Sequence, residues 1–252
     1  MLLDTHAHLD YPDYADDLEA VVERAAAAGV TRIISIGTGL ASSRRAVALA
    51  ERFANVFAVV GIHPTNVLDE PEDFLPELRE IARHPKVAAI GETGLDYHYL
   101  PGEGAKSGEA PLDPAYQNAQ AAAFVKQLEL ANELGLNAVI HQRDAWDDTL
   151  RLLDESAGEA RGVFHCFGGS PQQAAEVIDR GHLVSFTGIV TFKNAPLVRE
   201  TAASIPLGCF MVETDCPYLS PIPHRGKRCE PAYTRLVAEK IAEVRGVPFE
   251  KI

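Results

Sequence analysis

The sequence predicts an α/β fold of the (β/α)8 TIM-barrel type, formed by residues 1–252 as a single domain. Short apolar runs rich in β-branched residues recur eight times along the chain, and each is followed by a helical pattern. Runs that are apolar throughout, rather than alternating, are typical of parallel strands covered on both faces. Eight such repeats in a domain of this length favour a closed barrel over an open doubly wound sheet.

The predicted strands are evenly distributed along the chain. They comprise residues 2–5, 33–36, 56–60, 87–90, 138–140, 163–164, 183–186 and 210–212. The helix after the first strand should bury an apolar face made by Leu18, Val21, Val22 and Ala25. Gly29 follows its last turn and is expected to end it.

A longer helix is predicted after the fourth strand. Asp113 is its expected N-cap, Pro114 occupies its first turn, and Gly135 should end it. Residues 100–111 (LPGEGAKSGEAP) precede this helix and are rich in glycine, proline and polar residues. Such a segment predicts a surface loop above the fourth strand and is a candidate lid.

Composition and charge restrict the possible partners. The formal net charge of −13 argues against a broad basic surface for nucleic acid, so a phosphate substrate would have to be attracted locally, for example by bound cations. No apolar stretch approaches the roughly 20 residues of a membrane span. Four scattered cysteines have no paired spacing. We expect a cytoplasmic protein with reduced thiols, no membrane association and a monomeric state.

Six residues with metal-binding side chains follow five of the predicted strands. They are His6 and His8 at the first strand, Glu92 at the fourth, His141 at the fifth, His165 at the sixth and Asp215 at the eighth. These positions lie at the carboxyl ends of the strands, where the active site of a barrel is found. A single buried histidine is more often a hydrogen-bonded core residue. Six donors at one rim instead predict bound cations that offset the cost of burial.

Six ligands are more than a single catalytic zinc uses, so the sequence predicts two divalent cations. Glu92 is the candidate bridging ligand, because it lies midway in the ligand order and offers two oxygens. Asp215 is expected to bind metal and to orient or deprotonate the attacking water.

Seven motifs resemble, in order and separation, those of the TatD deoxyribonucleases within the amidohydrolase superfamily. They are THAHLD, GIHP, GETGLDY, IHQRDA, HCFGG, ETDCPYL and RGKRCEP, and they span nearly the whole chain. The resemblance implies that one metal is bound by His6, His8, Glu92 and Asp215. It implies that the other is bound by Glu92, His141 and His165. Members of this family hydrolyse DNA, often as exonucleases that use Mg²⁺ or Mn²⁺; Zn²⁺ is a further candidate metal.

The chain departs from the family pattern in three places. Cys229 stands where the last motif usually has asparagine, residues 100–111 form a longer loop, and the chain stops at GVPFEKI, where a final helix usually follows. The domain is therefore expected to lack that helix.

Weaker candidates for substrate contacts lie near the same rim. His63 in GIHP could contact a phosphate or a leaving group, or serve only as a hydrogen-bonding neighbour of the ligands. Arg143 could bind a phosphate with its guanidinium, or pair with a rim carboxylate. The loop after Asp215 carries the basic cluster Arg225, Lys227 and Arg228. Asp144 is expected to cap the following helix.

The leading functional hypothesis is two-metal hydrolysis of DNA phosphodiesters by metal-activated water, with single-stranded DNA or DNA ends as substrate. An amidohydrolase acting on a cyclic amide, ester or lactone is the alternative on the same scaffold. A non-catalytic metal-binding scaffold is the third hypothesis, because a fold alone does not prove activity.

Overall fold

The computed structural model describes residues 1–99 and 113–252, which contain eight strands and eight α-helices in alternation. The strands are β1 Leu2–Ala7, β2 Val30–Ile36, β3 Val56–Val60, β4 Val87–Asp96, β5 Asn137–Arg143, β6 Gly162–Phe164, β7 Leu183–Phe186 and β8 Phe210–Val212. The helices are α1 Leu18–Ala27, α2 Leu40–Arg52, α3 Leu75–Ala82, α4 Pro114–Leu134, α5 Trp146–Ser156, α6 Pro171–Asp179, α7 Pro196–Ser204 and α8 Thr234–Arg245. All eight predicted strand runs lie within these strands. The proposed lid, residues 100–111, lies outside the described residues.

The strands form one sheet in the order β1 to β8. The pairings of β1 with β2 and of β7 with β8 are parallel. Residues just after β8 return to β1: Ala7 pairs with Cys216, and the Asp215 amide donates to the His6 carbonyl at 2.9 Å. A sequential parallel order whose last segment lies beside its first strand is that of a (β/α)8 barrel.

Contacts divide the chain into two compact units. One comprises Met1–Ser35, Arg52–Phe57 and Phe164–Ile252, and the other comprises Ile36–Glu51 and Ala58–Val163. The first unit buries the predicted face of α1, including Val21 and Ala25. No helix of the described residues is both long and apolar enough to cross a membrane.

Helix α4, in the second unit, has the predicted ends. The Asp113 side chain accepts a hydrogen bond from the Ala115 amide, and Gly135 adopts the left-handed conformation at the C-cap. The apolar face includes Phe124 and Leu128, both fully buried. The sequence signals for capping therefore located both ends of this helix.

Two buried glutamines on α4 hold the neighbouring strands. Gln127 accepts from the Ile62 amide at 2.8 Å and donates to the Ile62 carbonyl and the Thr93 hydroxyl. Gln120, two helical turns earlier, accepts from the Asp96 amide and donates to the Asp96 carbonyl, each at 3.0 Å. The helix thus satisfies backbone groups next to the carboxyl ends of β3 and β4, where an ordinary ladder would leave them unpaired.

Two glycines allow the backbone to approach closely in this region. A side chain at Gly61 would place its Cβ 2.5 Å from the Gly91 carbonyl oxygen and 2.6 Å from the Gln127 side-chain oxygen. Gly94 has a φ of +140°, and a Cβ there would collide with the His141 carbonyl. Only glycine fits these positions without moving the strands.

We predict that Gln127→Met destabilises the fold by about 3 kcal/mol, because the apolar side chain leaves buried polar groups at Ile62 and Thr93 without partners. Urea unfolding followed by circular dichroism measures this effect. Gln117→Met is the matched control, since Gln117 lies on the same helix and is partly exposed. Equal stabilities of the two variants would show that the Gln127 hydrogen bonds do not support the strand ends.

Candidate metal centre

In the first unit, three predicted ligands converge where β1 ends. The His8 Nε2 atom lies 3.4 Å from Asp215 Oδ1, and the His6 Nε2 atom lies 3.7 Å from the same oxygen. Because alternate residues of a strand point the same way, the two imidazoles face one side, with ring centroids 5.0 Å apart. The backbone of Asp215 is in the left-handed region, with a φ of 58°.

The carboxyl group of Asp215 is held in its ionised form. Burial raises its pKa, but the hydrogen bond from His8 and the charges of His6 and His165 outweigh burial and hold the pKa below its ordinary value. An ionised carboxylate beside two imidazoles is a suitable donor set for a divalent cation.

His165 also lies in this unit, against His6. The two rings are stacked with centroids 4.1 Å apart and 14° between their planes. The His165 Nδ1 atom lies 3.6 Å from Glu213 Oε1. Glu213 is almost fully buried and accepts hydrogen bonds from the Ser185 hydroxyl and the Cys166 amide. Its carboxylate is therefore anchored to the sheet.

In the second unit, Glu92, His141 and His63 form another cluster. The Glu92 Oε1 atom lies 2.9 Å from His141 Nδ1 and 3.4 Å from His63 Nε2. Glu92 and His141 are neighbours because β4 continues beyond its apolar run, residues 87–90, and stays paired with β5. Thr93 and Gly94 stay paired with Ile140 and His141 of β5. Glu92 thus lies inside the strand and not at its end.

Asp96 engages the other nitrogen of His141. Its Oδ2 atom lies 2.9 Å from His141 Nε2, while its Oδ1 atom accepts from the His98 and Tyr99 amides at 2.9 Å each. Burial raises the pKa of Asp96, but the hydrogen bond and charge of His141 and the two amides outweigh it and lower the pKa. An ionised Asp96 accepts a hydrogen bond from the Nε2–H group of His141. The Nδ1 lone pair of the neutral ring then faces Glu92.

This arrangement fits a cation beside Glu92. A neutral imidazole has one N–H group, and in His141 that group donates to Asp96. The remaining His141 nitrogen and the Glu92 oxygen are then two acceptors 2.9 Å apart, which could bind one cation together. A metal ligand whose other ring nitrogen donates to a carboxylate is the usual arrangement for histidine.

His63 has its lone pair directed away from the cluster, unlike His141. Its Nδ1 atom accepts a hydrogen bond from the Thr65 amide at 3.1 Å, so in the neutral ring the proton lies on Nε2. Burial is the main cause that lowers the His63 pKa, which keeps the ring neutral. An Nε2–H group that points into the cluster is a hydrogen-bond donor. The geometry therefore favours a hydrogen-bonding role beside the ligands over metal ligation, and a contact with a phosphate or leaving group stays a prediction.

The donor atoms fit divalent cations by type and spacing. The donor atoms of His6, His8 and Asp215 lie within 4.8 Å of one another, and the same limit holds for His63, Glu92 and His141. Ligands about 2.1 Å from one cation lie at most about 4.2 Å apart, so the 3.4 and 3.7 Å separations at Asp215 already match.

The basic residues predicted to contact substrate have different surroundings. Arg143 is exposed, with its guanidinium 4.8 Å from the centre of the Tyr99 ring. Arg225 lies 3.7 Å from the centre of the Phe192 ring, and Lys227 is exposed. Their roles toward substrate stay predictions.

Arg228 is engaged in an ion pair. Its two terminal nitrogens lie 2.7 and 2.8 Å from the Asp17 carboxylate oxygens, and its guanidinium lies 4.9 Å from the centre of the Tyr14 ring. The ion pair neutralises much of the Arg228 charge, which we expected from the sequence to contact a phosphate. Arg228 is therefore a weaker candidate than Arg225 and Lys227.

The structure also shows the surroundings of Asp144 and Cys229. Asp144 does not cap α5, because its backbone has a φ of 56° and its carboxylate lies 2.9 Å from His98 Nδ1. Ala145 is the N-cap residue instead. Cys229, which replaces the usual asparagine, is fully buried, and its carbonyl accepts the Tyr14 hydroxyl at 2.6 Å. The Cys229 side chain belongs to the core and does not face solvent.

Comparison with known proteins identifies the family. The model of the TatD related DNase family matches residues 3–252. The chain belongs to the TatD family. A crystal structure of the TatD homologue YjjV from Escherichia coli K12 has a TM-score of 0.88 and 30% identity, covering 99% of this chain and 92% of that one. The predicted family and (β/α)8 barrel are confirmed.

Curated relatives agree with this assignment. The metal-dependent hydrolase YabD of Bacillus subtilis, described as uncharacterised, is 42% identical and covers 100% of this chain and 94% of its own length. The 3'-5' ssDNA/RNA exonuclease TatD of Enterobacter lignolyticus is 36% identical over 97% of this chain and 92% of its own length. The prediction of a metal-dependent hydrolase is confirmed at the level of the TatD family.

Sequence reasoning missed the buried carboxylates behind the predicted ligands. Asp96 follows Glu92 by four residues on β4, and Glu213 precedes Asp215 by two. Residues an even number of positions apart on a strand face the same side, so the motif GETGLDY carried a signal that Asp96 accompanies Glu92. Glu213 and Asp215 follow the end of β8, where this rule does not apply. The contact of His63 with Glu92 depends on strand register, which the sequence alone does not reveal.

We predict that Asp96→Asn weakens metal binding by about 10- to 100-fold, while the protein stays folded. The side-chain oxygen of the variant can still accept hydrogen bonds from the backbone amides of His98 and Tyr99. Its NH₂ group then donates to His141 Nε2. The ring proton is forced to Nδ1, which faces Glu92. Titration calorimetry with Mn²⁺ measures the affinity.

Asp148→Asn is the control for this change. Asp148 accepts from the Tyr97 hydroxyl and from Arg151 at the surface of the same unit. Unchanged Mn²⁺ affinity in Asp96→Asn would show that Asp96 does not set the orientation of His141.

Proposed function

We propose that this TatD-family protein is a two-metal phosphodiesterase that hydrolyses DNA, acting on single-stranded DNA or DNA ends as an exonuclease. One cation is held by His6, His8 and Asp215, and the other by Glu92 and His141. The family resemblance adds His165 to the second ligand set and predicts that Glu92 serves both cations. All of these ligand assignments stay predictions. Mg²⁺ or Mn²⁺ are the proposed metals.

The observation that carries the proposal is the pair of acceptors at Glu92 and His141. With the His141 Nε2–H group donating to Asp96, these two acceptors, 2.9 Å apart, can serve as ligands of one cation, which supports the proposal. The relative from Enterobacter lignolyticus, named as an ssDNA/RNA exonuclease, supports a nucleic-acid substrate. A metal site on an acidic protein also explains how a polyanion is attracted despite the net charge of −13.

The residues of the site would divide the chemistry between them. Bound divalent cations supply an activated water and neutralise charge that develops on the phosphoryl oxygens. Asp215, ionised because of its histidine neighbours, can accept a proton from the attacking water. His63 can donate its Nε2 proton in a hydrogen bond to a phosphate oxygen or to the leaving group. Asp96 keeps His141 in the tautomer that binds metal.

We predict that the purified protein degrades single-stranded DNA when Mg²⁺ or Mn²⁺ is added and that Glu92→Gln lowers this activity at least about 100-fold. The change keeps the shape of the side chain but removes its charge and one acceptor. End-labelled oligonucleotides resolved on gels measure the rate and the direction of digestion, and bound metal is measured in parallel. Glu133→Gln is the control, because Glu133 pairs with Arg79 at the surface.

The same assay distinguishes the alternatives. Turnover of a cyclic amide, ester or lactone without cleavage of DNA would replace the proposal by the amidohydrolase alternative. Metal binding without turnover of either class would leave a metal-binding scaffold. Normal DNA cleavage by Glu92→Gln at saturating metal would remove Glu92 from the mechanism.

We predict that replacing Arg225 and Lys227 together by alanine raises the KM for DNA and lowers its salt dependence. Each lost phosphate contact on a single strand reduces the slope of log affinity against log salt by about 0.7. The intact protein should show a slope for only about two to four phosphates, because few of its cationic side chains are expected to contact the substrate. Arg83→Ala with Lys86→Ala, on the surface after α3, is the matched control.

Arg228→Ala is tested separately, since it also breaks the ion pair with Asp17. Metal content should stay unchanged in all of these variants. Wild-type KM and salt slope in the double variant would show that this loop does not contact the substrate.

A further inference from the structure

We propose that Tyr218 stacks on a nucleobase of the substrate beside the metal centre, and that Tyr11 and His8 support its ring from behind. The proposal rests on the proposed nuclease function and adds a base-binding position to it. Neither the proposed chemistry nor the metal ligands use the Tyr218 ring. His8, Tyr11 and Tyr218 all lie in the first compact unit.

Tyr218 has an exposed ring on a firmly held backbone. The residue is 55% exposed, whereas its amide donates to the Asp215 carbonyl at 3.0 Å. The preceding residue, Pro217, accepts the Cys229 amide at 3.0 Å. The backbone is therefore fixed three residues from a proposed metal ligand while more than half of the side chain faces solvent.

The exposed ring is connected to the metal ligands by aromatic contacts. Tyr218 packs against Tyr11 in a T-shaped arrangement, with ring centroids 6.3 Å apart and an interplanar angle of 78°. Tyr11 in turn stacks on His8, with centroids 4.7 Å apart and 22° between the planes. Aromatic pairs at such distances hold their geometry. The position of the Tyr218 ring is thus set by the ligand His8 through one intervening ring.

Exposure by itself does not identify a binding site, because single exposed apolar residues are common. Position distinguishes Tyr218. A base adjoining the cleaved phosphate must lie within one nucleotide of the metals, and Tyr218 is on the loop that follows Asp215. The same loop carries Arg225 and Lys227, which can follow a phosphate backbone. Aromatic rings next to basic side chains are the usual means of binding single strands without sequence preference.

The test compares Tyr218→Leu with Tyr218→Phe on two single-stranded oligonucleotides in Mn²⁺. One oligonucleotide is intact, and the other has abasic nucleotides at its terminal positions. On the intact strand we expect Tyr218→Leu to raise KM roughly tenfold, because the aromatic face is lost, with kcat changed less. Tyr218→Phe keeps the ring and should restore the wild-type KM. On the abasic strand the three proteins should have the same KM.

The outcomes separate this proposal from the proposed function. If the wild-type protein cleaves the intact strand but Tyr218→Leu has the same KM, or if the KM difference persists on the abasic strand, the stacking proposal is wrong and the nuclease proposal stands. If the wild-type protein cleaves neither strand with any metal, the nuclease proposal fails, and stacking fails with it. Bound metal, measured in each variant, should be unchanged, since a loss would assign the effect to the metal site.

Discussion

Burying charged side chains is costly, and the contacts around both ligand clusters offset that cost. Asp4, Glu92, Asp96 and Glu213 are each at most 3% exposed. An ionised carboxylate costs several kcal/mol to bury unless hydrogen bonds or positive charge compensate it. In the first unit, Asp4 accepts from the Thr214 amide and hydroxyl at 2.9 and 2.7 Å. Burial nevertheless raises the pKa of Asp4 to about 7, because these hydrogen bonds compensate only part of the cost of burying its charge.

The same constraint makes the site rigid. The donors that hold the carboxylates are backbone amides and short hydroxyl side chains, which the sheet itself positions. In the second unit, two amides occupy Asp96 Oδ1, so only Oδ2 can face His141. The loop after β4 therefore determines which nitrogen of His141 carries the proton. The tautomer of a proposed ligand is thus set by backbone amides two and three residues beyond the end of the strand.

Much of this could be predicted from the sequence, because apolar runs and capping residues act locally. The eight strands and both ends of α4 were located by such signals, and His6, His8 and Asp215 lie together as expected. The extension of β4 through Asp96 was not predicted. It depends on pairing with β5, and residues 91–96 are mostly polar or glycine. The ion pair of Arg228 with Asp17 joins positions 211 residues apart, and no local pattern indicates it.

The role of Arg228 also affects how a polyanion could bind. With one guanidinium neutralised by Asp17, the loop after Asp215 presents Arg225 and Lys227 as exposed charges on a protein of net charge −13. Repulsion from the rest of the surface then opposes any long contact with DNA. A few local attractions, from cations at the ligand clusters and from this loop, must provide the binding. Such a balance favours substrates that enter by one end as a flexible strand over a duplex that would lie along the acidic surface, which agrees with the proposed exonuclease.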